Sequence, residues 1–180
     1  MNKNIMILAT DGFEQSELMD PKANLEAAGF ETTVVSLEKG EIKGWDQKDW
    51  GKSVAVDKTV DEVSASDFDG LLLPGGQINP DVLRMNDNVI EIIQEFDRAK
   101  KPIAAICHAP WLLIEAGLVS GKTVTSWPSL RTDLKNAGAK VVDQEVAEDG
   151  NLITSRNPDD IPAFSKAFIS QVKEAASQPA

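Results

Sequence analysis

The sequence predicts an α/β fold, a mostly parallel, doubly wound sheet with helices on both faces and small hairpin excursions. Short apolar runs alternate with amphipathic segments, the pattern of βα units around a sheet buried on both sides. Gly29, Gly117 and Gly138 each close a helical segment, where glycine accommodates the left-handed backbone that ends a helix.

Taken in order, the strand candidates are Asn4–Ala9, Thr32–Leu37, Gly70–Leu73, Pro102–Ile106 and Thr123–Ser126, with the shorter Lys140–Val142 and Leu152–Thr154. Each is rich in Val, Ile, Leu or Thr and is bounded by turn residues. The helix candidates between them are Glu14–Ala28, Asn88–Lys100, Pro110–Ala116, Ser129–Ala137 and Pro158–Ala176. Two stretches break the alternation. Residues 38–57 carry Gly40, Gly44 and Gly51 with Trp45 and Trp50 and no helical period, which predicts a hairpin covering one edge. Asp149-Gly150, between Glu145–Ala147 and Leu152–Thr154, signals a second hairpin. No linker or repeat interrupts residues 1–176, so one domain is expected, followed by a frayed tail at 177–180.

Composition narrows the function. A net charge of −11 repels phosphates and anionic membrane surfaces, so neither nucleic acid nor membrane is expected as a partner. The opening apolar stretch is too short for a secretion signal, and no run approaches a membrane span, which predicts a cytoplasmic protein. The chain holds 1 Cys and 1 His, and they are neighbours, Cys107 and His108. An intrachain disulfide and a CxxC pair are therefore excluded, and the usual zinc ligand sets cannot be assembled. No metal and no cofactor are expected, since neither an EF-hand-like loop nor a phosphate-binding glycine motif occurs.

Three strand ends carry chemistry. Cys107 follows the apolar run 102–106 and precedes a helix opened by Pro110, with the small residues Ala105 and Ala109 two positions either side. That is the pattern of a nucleophile on a tight strand-turn-helix elbow, where the helix terminus would lower the thiol's pKa; the same residue also reads as a buried core cysteine. Gly75 and Gly76 end the run 70–73, and their amides could approach a substrate oxygen or form a plain turn. Glu14 and Glu17 stand three apart after the first strand. They either face a common cleft, with Glu14 as a substrate-binding candidate and a protonated carboxyl able to donate to a thiolate, or serve as ordinary helix-start acids.

These motifs together resemble the PfpI/ThiJ superfamily over essentially the whole chain: FExSEL at Phe13–Leu18, DxLLLPGG at Asp69–Gly76, AICHAP at Ala105–Pro110, Thr125-Ser126, and VxxDGNLITSRNPDD at Val146–Asp160. The resemblance implies a flavodoxin-like three-layer sandwich. It implies Cys107 as nucleophile, Glu17 bonded to its sulfur, and the amides of Gly75, Gly76 and His108 around the substrate oxygen. It also implies a homodimer or larger homo-oligomer in which Asp81 of a neighbouring subunit pairs with His108. Members similar to this chain are described as glutathione-independent glyoxalases, as deglycases and as intracellular cysteine peptidases. Dicarbonyl conversion is the expected activity, on a small aldehyde or a glycated protein, with peptide hydrolysis and a non-catalytic oxidation sensor or holdase as alternatives.

Overall fold

In the computed structural model, which describes residues 2–177, the chain forms β1 (Asn4–Leu8), β2 (Phe13–Glu14), α1 (Gln15–Ala27), β3 (Glu31–Ser36), β4 (Glu41–Asp46), β5 (Asp49–Ala55), β6 (Lys58–Thr59) and β7 (Gly70–Leu73). It continues through α2 (Ile78–Leu83), α3 (Asp87–Arg98), β8 (Ile103–Ile106), α4 (Pro110–Glu115), β9 (Thr123–Val124), α5 (Arg131–Asn136), β10 (Lys140–Val141), β11 (Ala147–Asp149), β12 (Leu152–Ser155) and α6 (Ile161–Ser177). Ser177 is the last helical residue, and 178–180 of the expected tail lie outside the described residues.

The central sheet has the order β11-β12-β8-β7-β1-β3-β6. Every neighbour pair in it is parallel except β11 with β12. Side chains alternate across it with the two-residue period of a strand. Ile5, Ile7, Leu72, Ala104, Ile106 and Ile153 point to one face, where Leu18 and Leu25 of α1 and Phe164, Phe168 and Val172 of α6 meet them. Met6, Leu8, Leu71, Leu73, Ile103 and Ala105 point to the other, against Val89, Ile93 and Phe96 of α3 and Leu112 and Leu113 of α4. This is the three-layer α/β sandwich expected. The chain runs outward from β1 through β3 and β6, then returns to β7 on the other side of β1. The loops leaving β1 and β7 therefore part at their carboxyl ends and open the crevice where such sheets bind ligands.

The excursion at 38–57 is the antiparallel pair β4 and β5, attached to the body through β2. The Asp149-Gly150 hairpin joins β11 to β12, with Gly150 in the left-handed region at φ 59°. Two details differ from the sequence reading. The run at 123–126 does not enter the main sheet; only Thr123 and Val124 are strand, paired with β10. Its amides are satisfied otherwise, because Thr123 N–H donates to Asp149 Oδ2 at 2.8 Å and Thr125 N–H to Thr154 Oγ1 at 2.9 Å. The segment after Gly76 folds as helix α2 where a loop was expected. Pro80 sits in its first turn, the part of a helix that tolerates a missing N–H. Among the described residues no helix is long and apolar enough to cross a membrane.

Gly70 begins β7 without a side chain because the Phe168 ring lies against it, about where a Cβ would be 3.1 Å away. Phe168→Ala should therefore open a cavity between α6 and the sheet and lower the unfolding free energy by about 3–5 kcal/mol, measured by urea denaturation. A loss below about 1 kcal/mol would show that this face is not packed as described.

Candidate active site

Cys107 occupies the first position after β8, with φ +65°, a left-handed backbone that a side-chain-bearing residue adopts at a cost of about 1–3 kcal/mol. Two backbone bonds hold it there. Its N–H donates to the Ser155 carbonyl at 3.0 Å, and its own carbonyl accepts the Trp127 N–H at 2.9 Å. The elbow expected from the small neighbours Ala105 and Ala109 is thus present, and both alanines are fully buried. The thiol is buried too, at 6% exposure.

His108 turns its ring back toward the sulfur, with Nδ1 3.1 Å from Sγ. Trp127 stacks on the imidazole at 5.7 Å and Trp111 meets it edge-on at 5.2 Å. This half-buried, aromatic setting lowers the histidine's pKa by desolvation, so the ring is neutral near neutral pH and able to take a proton from the thiol.

Glu17 lies in the first turn of α1 and is fully buried. Oε1 accepts the Gly75 N–H at 3.1 Å, while Oε2 has no partner of ordinary hydrogen-bond geometry. Burial, then the charge of Glu14, pushes the carboxyl up to about 8, against the opposing influence of the Cys107 thiol and the Gly75 and Gly76 amides. Glu17 therefore keeps its proton at neutral pH and can present a donor to the sulfur.

The thiol does not behave as the helix-terminus argument expected. Burial, followed by repulsion from Glu17, raises its pKa, and the Gly76 and His108 amides only offset this. The reason is local. Helix α4 has six residues and starts at Pro110, which lacks an N–H, with Ala109 as its N-cap. Cys107 stands outside that helix and draws little from its dipole.

Gly75 is required by contact. A Cβ there would meet Glu17 Oε1, come within 2.6 Å of the Ile106 carbonyl and within 2.8 Å of the Cys107 Cβ. Its N–H is already given to Glu17, which leaves the Gly76 and His108 amides as those facing the sulfur. Gly76 has φ +85° and packs against the backbone of Gly12 and Glu14. Glu14 is half-buried and accepts the Gln47 N–H of the β4–β5 turn at 3.4 Å; its pKa is raised mainly by burial. Asp81 is exposed on the first turn of α2, and among the described residues no hydrogen bond or ion pair joins it to His108.

Three contributors escaped the sequence reading. Asn79, fully buried, donates from Nδ2 to the carbonyls of Pro74 and Gly75 at 2.9 and 3.1 Å and accepts the Thr10 N–H at 2.8 Å. It ties the loop after β7 to the end of β1. Its only signal was a polar residue before Pro80, and that reads as a turn. Ser155 and Trp127 act through backbone groups, which no side-chain motif announces. Among the described residues no group of three or more His, Cys, Asp or Glu side chains is arranged to hold a metal ion.

Comparison with known proteins identifies the family. The model of the DJ-1/PfpI family matches residues 3–171. General stress protein 18 of Bacillus subtilis is 44% identical over 97% of this chain and 100% of its own length. Protein/nucleic acid deglycase 2 of Escherichia coli is 44% identical over 94% of this chain and 97% of its own. Among solved structures, a two-domain protein of Anabaena variabilis with DJ-1/ThiJ/PfpI-like and ferritin-like domains superposes with a TM-score of 0.90 at 36% identity, covering 99% of this chain and 50% of that longer one. With a matched region spanning nearly the full sequence and relatives well above 30% identity, the chain belongs to the DJ-1/PfpI family.

Proposed function

We propose that residues 1–176 act as one cytoplasmic, cofactor-independent enzyme that converts reactive dicarbonyls, or the adducts they form on proteins, to hydroxy acids through Cys107. The observation that carries the reading is the 3.1 Å approach of Cys107 Sγ to a neutral His108 Nδ1 with a protonated Glu17 behind it. The deglycase name of the Escherichia coli relative supports the same substrate class.

The resting pair is neutral on both sides, so the thiol gives its proton to Nδ1 as the sulfur attacks the aldehyde carbon. A C–S bond forms, the carbonyl oxygen takes up the charge, and the Gly76 and His108 amides face the place where it develops. His108 returns that proton to the oxygen, which gives a hemithioacetal and leaves the imidazole neutral. His108 then removes the proton from the former aldehyde carbon and returns one to the adjacent carbon, passing through an enediol to a thioester. Water hydrolyses the thioester, releasing the hydroxy acid and restoring the thiol. Glu17 stays protonated throughout and donates toward the sulfur whenever it carries charge.

Because Nδ1 faces the sulfur, His108 has its other ring nitrogen available for an orienting acid. Asp81, exposed and unpaired with His108 within its own chain, would supply that acid across a two-fold interface in a homodimer or larger homo-oligomer. Glu14 would line the substrate side of the crevice from the mouth of the β4–β5 turn.

The decisive assay is lactate or glycolate production from methylglyoxal or glyoxal without added thiol, run beside a peptidase panel. Turnover in the first and none in the second is expected; peptide cleavage without aldehyde conversion would overturn the reading. Cys107→Ala should abolish turnover while leaving the fold intact, and residual activity in it would end the covalent mechanism.

Glu17 has a pH signature with a defined sign. Held protonated to about 8 when folded, against about 4.3 unfolded, it contributes stability that is fully present below the unfolded value and lost as pH rises through the folded one. Glu17→Gln is neutral at every pH. Its Tm relative to the parent should therefore rise between about pH 5 and about pH 8.5. A constant difference would mean that Glu17 is not protonated in the fold.

Complementation tests Asp81 in trans. Asp81→Ala and Cys107→Ala chains, unfolded together in equal amounts and refolded, should form mixed dimers in about half of cases and regain activity in about a quarter of all sites. An activity equal to the average of the separate variants, with mixed dimers shown by tags, would place Asp81 outside the site.

A further inference from the structure

The left-handed Cys107 is held by two backbone bonds that lead to two different segments. Its N–H goes to Ser155 at the end of β12, and its carbonyl to Trp127 ahead of α5. Those two segments do not pair with each other as strands. Thr125 N–H ties them on one side of the elbow through Thr154 Oγ1 at 2.9 Å, and because a strained backbone persists only where its surroundings over-determine it, a second tie is needed on the other side.

Each segment continues directly into an arginine. Arg156 follows Ser155 and is clamped by Asp160, which is 2% exposed. Asp160 Oδ2 accepts the Arg156 N–H and Nε–H, both at 2.9 Å, and Oδ1 accepts from Arg156 NH2 at 2.9 Å. Such side-on pairing fixes a guanidinium in one orientation. On the other side, the turn Pro128–Leu130 carries Trp127 into Arg131 at the start of α5. Asp143 Oδ1 joins the two, 3.1 Å from Arg156 NH1 and 3.0 Å from Arg131 NH2. Arg131 Nε is buried without a partner, so this guanidinium's polar tie to the chain runs through Asp143.

We infer that the Arg131–Asp143–Arg156 bridge, anchored on Asp160, sets the spacing of Trp127 and Ser155 around Cys107, with Asp143 as a positioning residue for the nucleophile. The same tie holds Trp127 in its stack on His108, so it governs the Sγ to Nδ1 approach from both partners. The Asp143 side chain is 63% exposed, so the bridge contributes little to stability. Its removal should spare the fold and act on geometry. This assignment rests on Cys107 being the nucleophile, and the test separates the two.

Asp143→Asn should lower kcat about fivefold with KM within about twofold of the parent. Asp143→Glu should restore at least half of the loss. The rate of Cys107 alkylation by iodoacetamide should change by the same factor whether or not aldehydes are turned over, so a failed activity assay does not remove the readout. In a His108→Ala background, Asp143→Asn should add little further, because both changes disturb one contact. Salt at about 1 M should reproduce the deficit in the parent but not in Asp143→Asn, since it screens an exposed bridge. Arg131→Gln cuts the same bridge from the other end and serves if Asp143→Asn folds poorly. Parental kcat and alkylation rates in both bridge variants, or a full additive loss in the His108→Ala background, would overturn the assignment.

Discussion

The carboxyl end of the sheet depends on one contact, the Gly75 N–H donated to the buried Glu17 carboxyl at 3.1 Å. It brings α1 and the loop after β7 together behind β8, and it succeeds only because Gly75 has no side chain to intrude on Glu17, Ile106 and Cys107. The Asn79 amide reinforces it by binding the carbonyls of Pro74 and Gly75 and the Thr10 N–H. Three strand ends are thereby locked without any direct strand pairing between the loops themselves. Rigidity at this point is what allows a carboxyl and a thiol to be buried side by side.

That juxtaposition determines the electrostatic character of the site. Two buried acids in contact, stripped of water, resist ionising together, so Glu17 is held up to about 8 and the thiol is pushed above its ordinary range as well. The Gly75 and Gly76 amides act on Glu17, whose second oxygen lacks a partner of ordinary geometry, while the Gly76 and His108 amides and an imidazole face the sulfur. A proton retained on Glu17 converts it from a repelling charge into a donor. In the proposed mechanism, charge then appears on the sulfur only as substrate is attacked.

Much of this was legible in the sequence. Strands β1, β3, β7, β8 and β12 of the central sheet read as apolar runs separated by helices, and the Asp149-Gly150 and Trp-rich excursions read correctly as hairpins, whereas the edge strands β6 and β11 were not among the strand candidates. Cys107 and His108 stood out as the one thiol and the one imidazole of the sequence, but their adjacency did not fix the approach of the ring to the sulfur, which the turn after β8 sets. What stayed hidden depended on backbone groups and on distance along the chain. Thr123–Ser126 has strand composition, yet its amides go to the side chains of Asp149 and Thr154, partners that no local pattern identifies. Helix α2 was masked by Pro80, whose turn-forming reputation conceals its fitness for a first helical turn. The thiol's raised pKa was missed because the motif displays a helix start but not its shortness, nor the depth of burial.

The left-handed backbone at Cys107 also bears on how such a protein could change over generations. At φ +65° glycine is the residue that costs least, so thermodynamics and chemistry pull this position in opposite directions. A lineage selected for heat resistance alone would drift toward losing the sulfur, trading reactivity for a calmer elbow. One that keeps cysteine there carries a standing conformational cost, which the bonds to the Ser155 carbonyl and the Trp127 N–H hold in place.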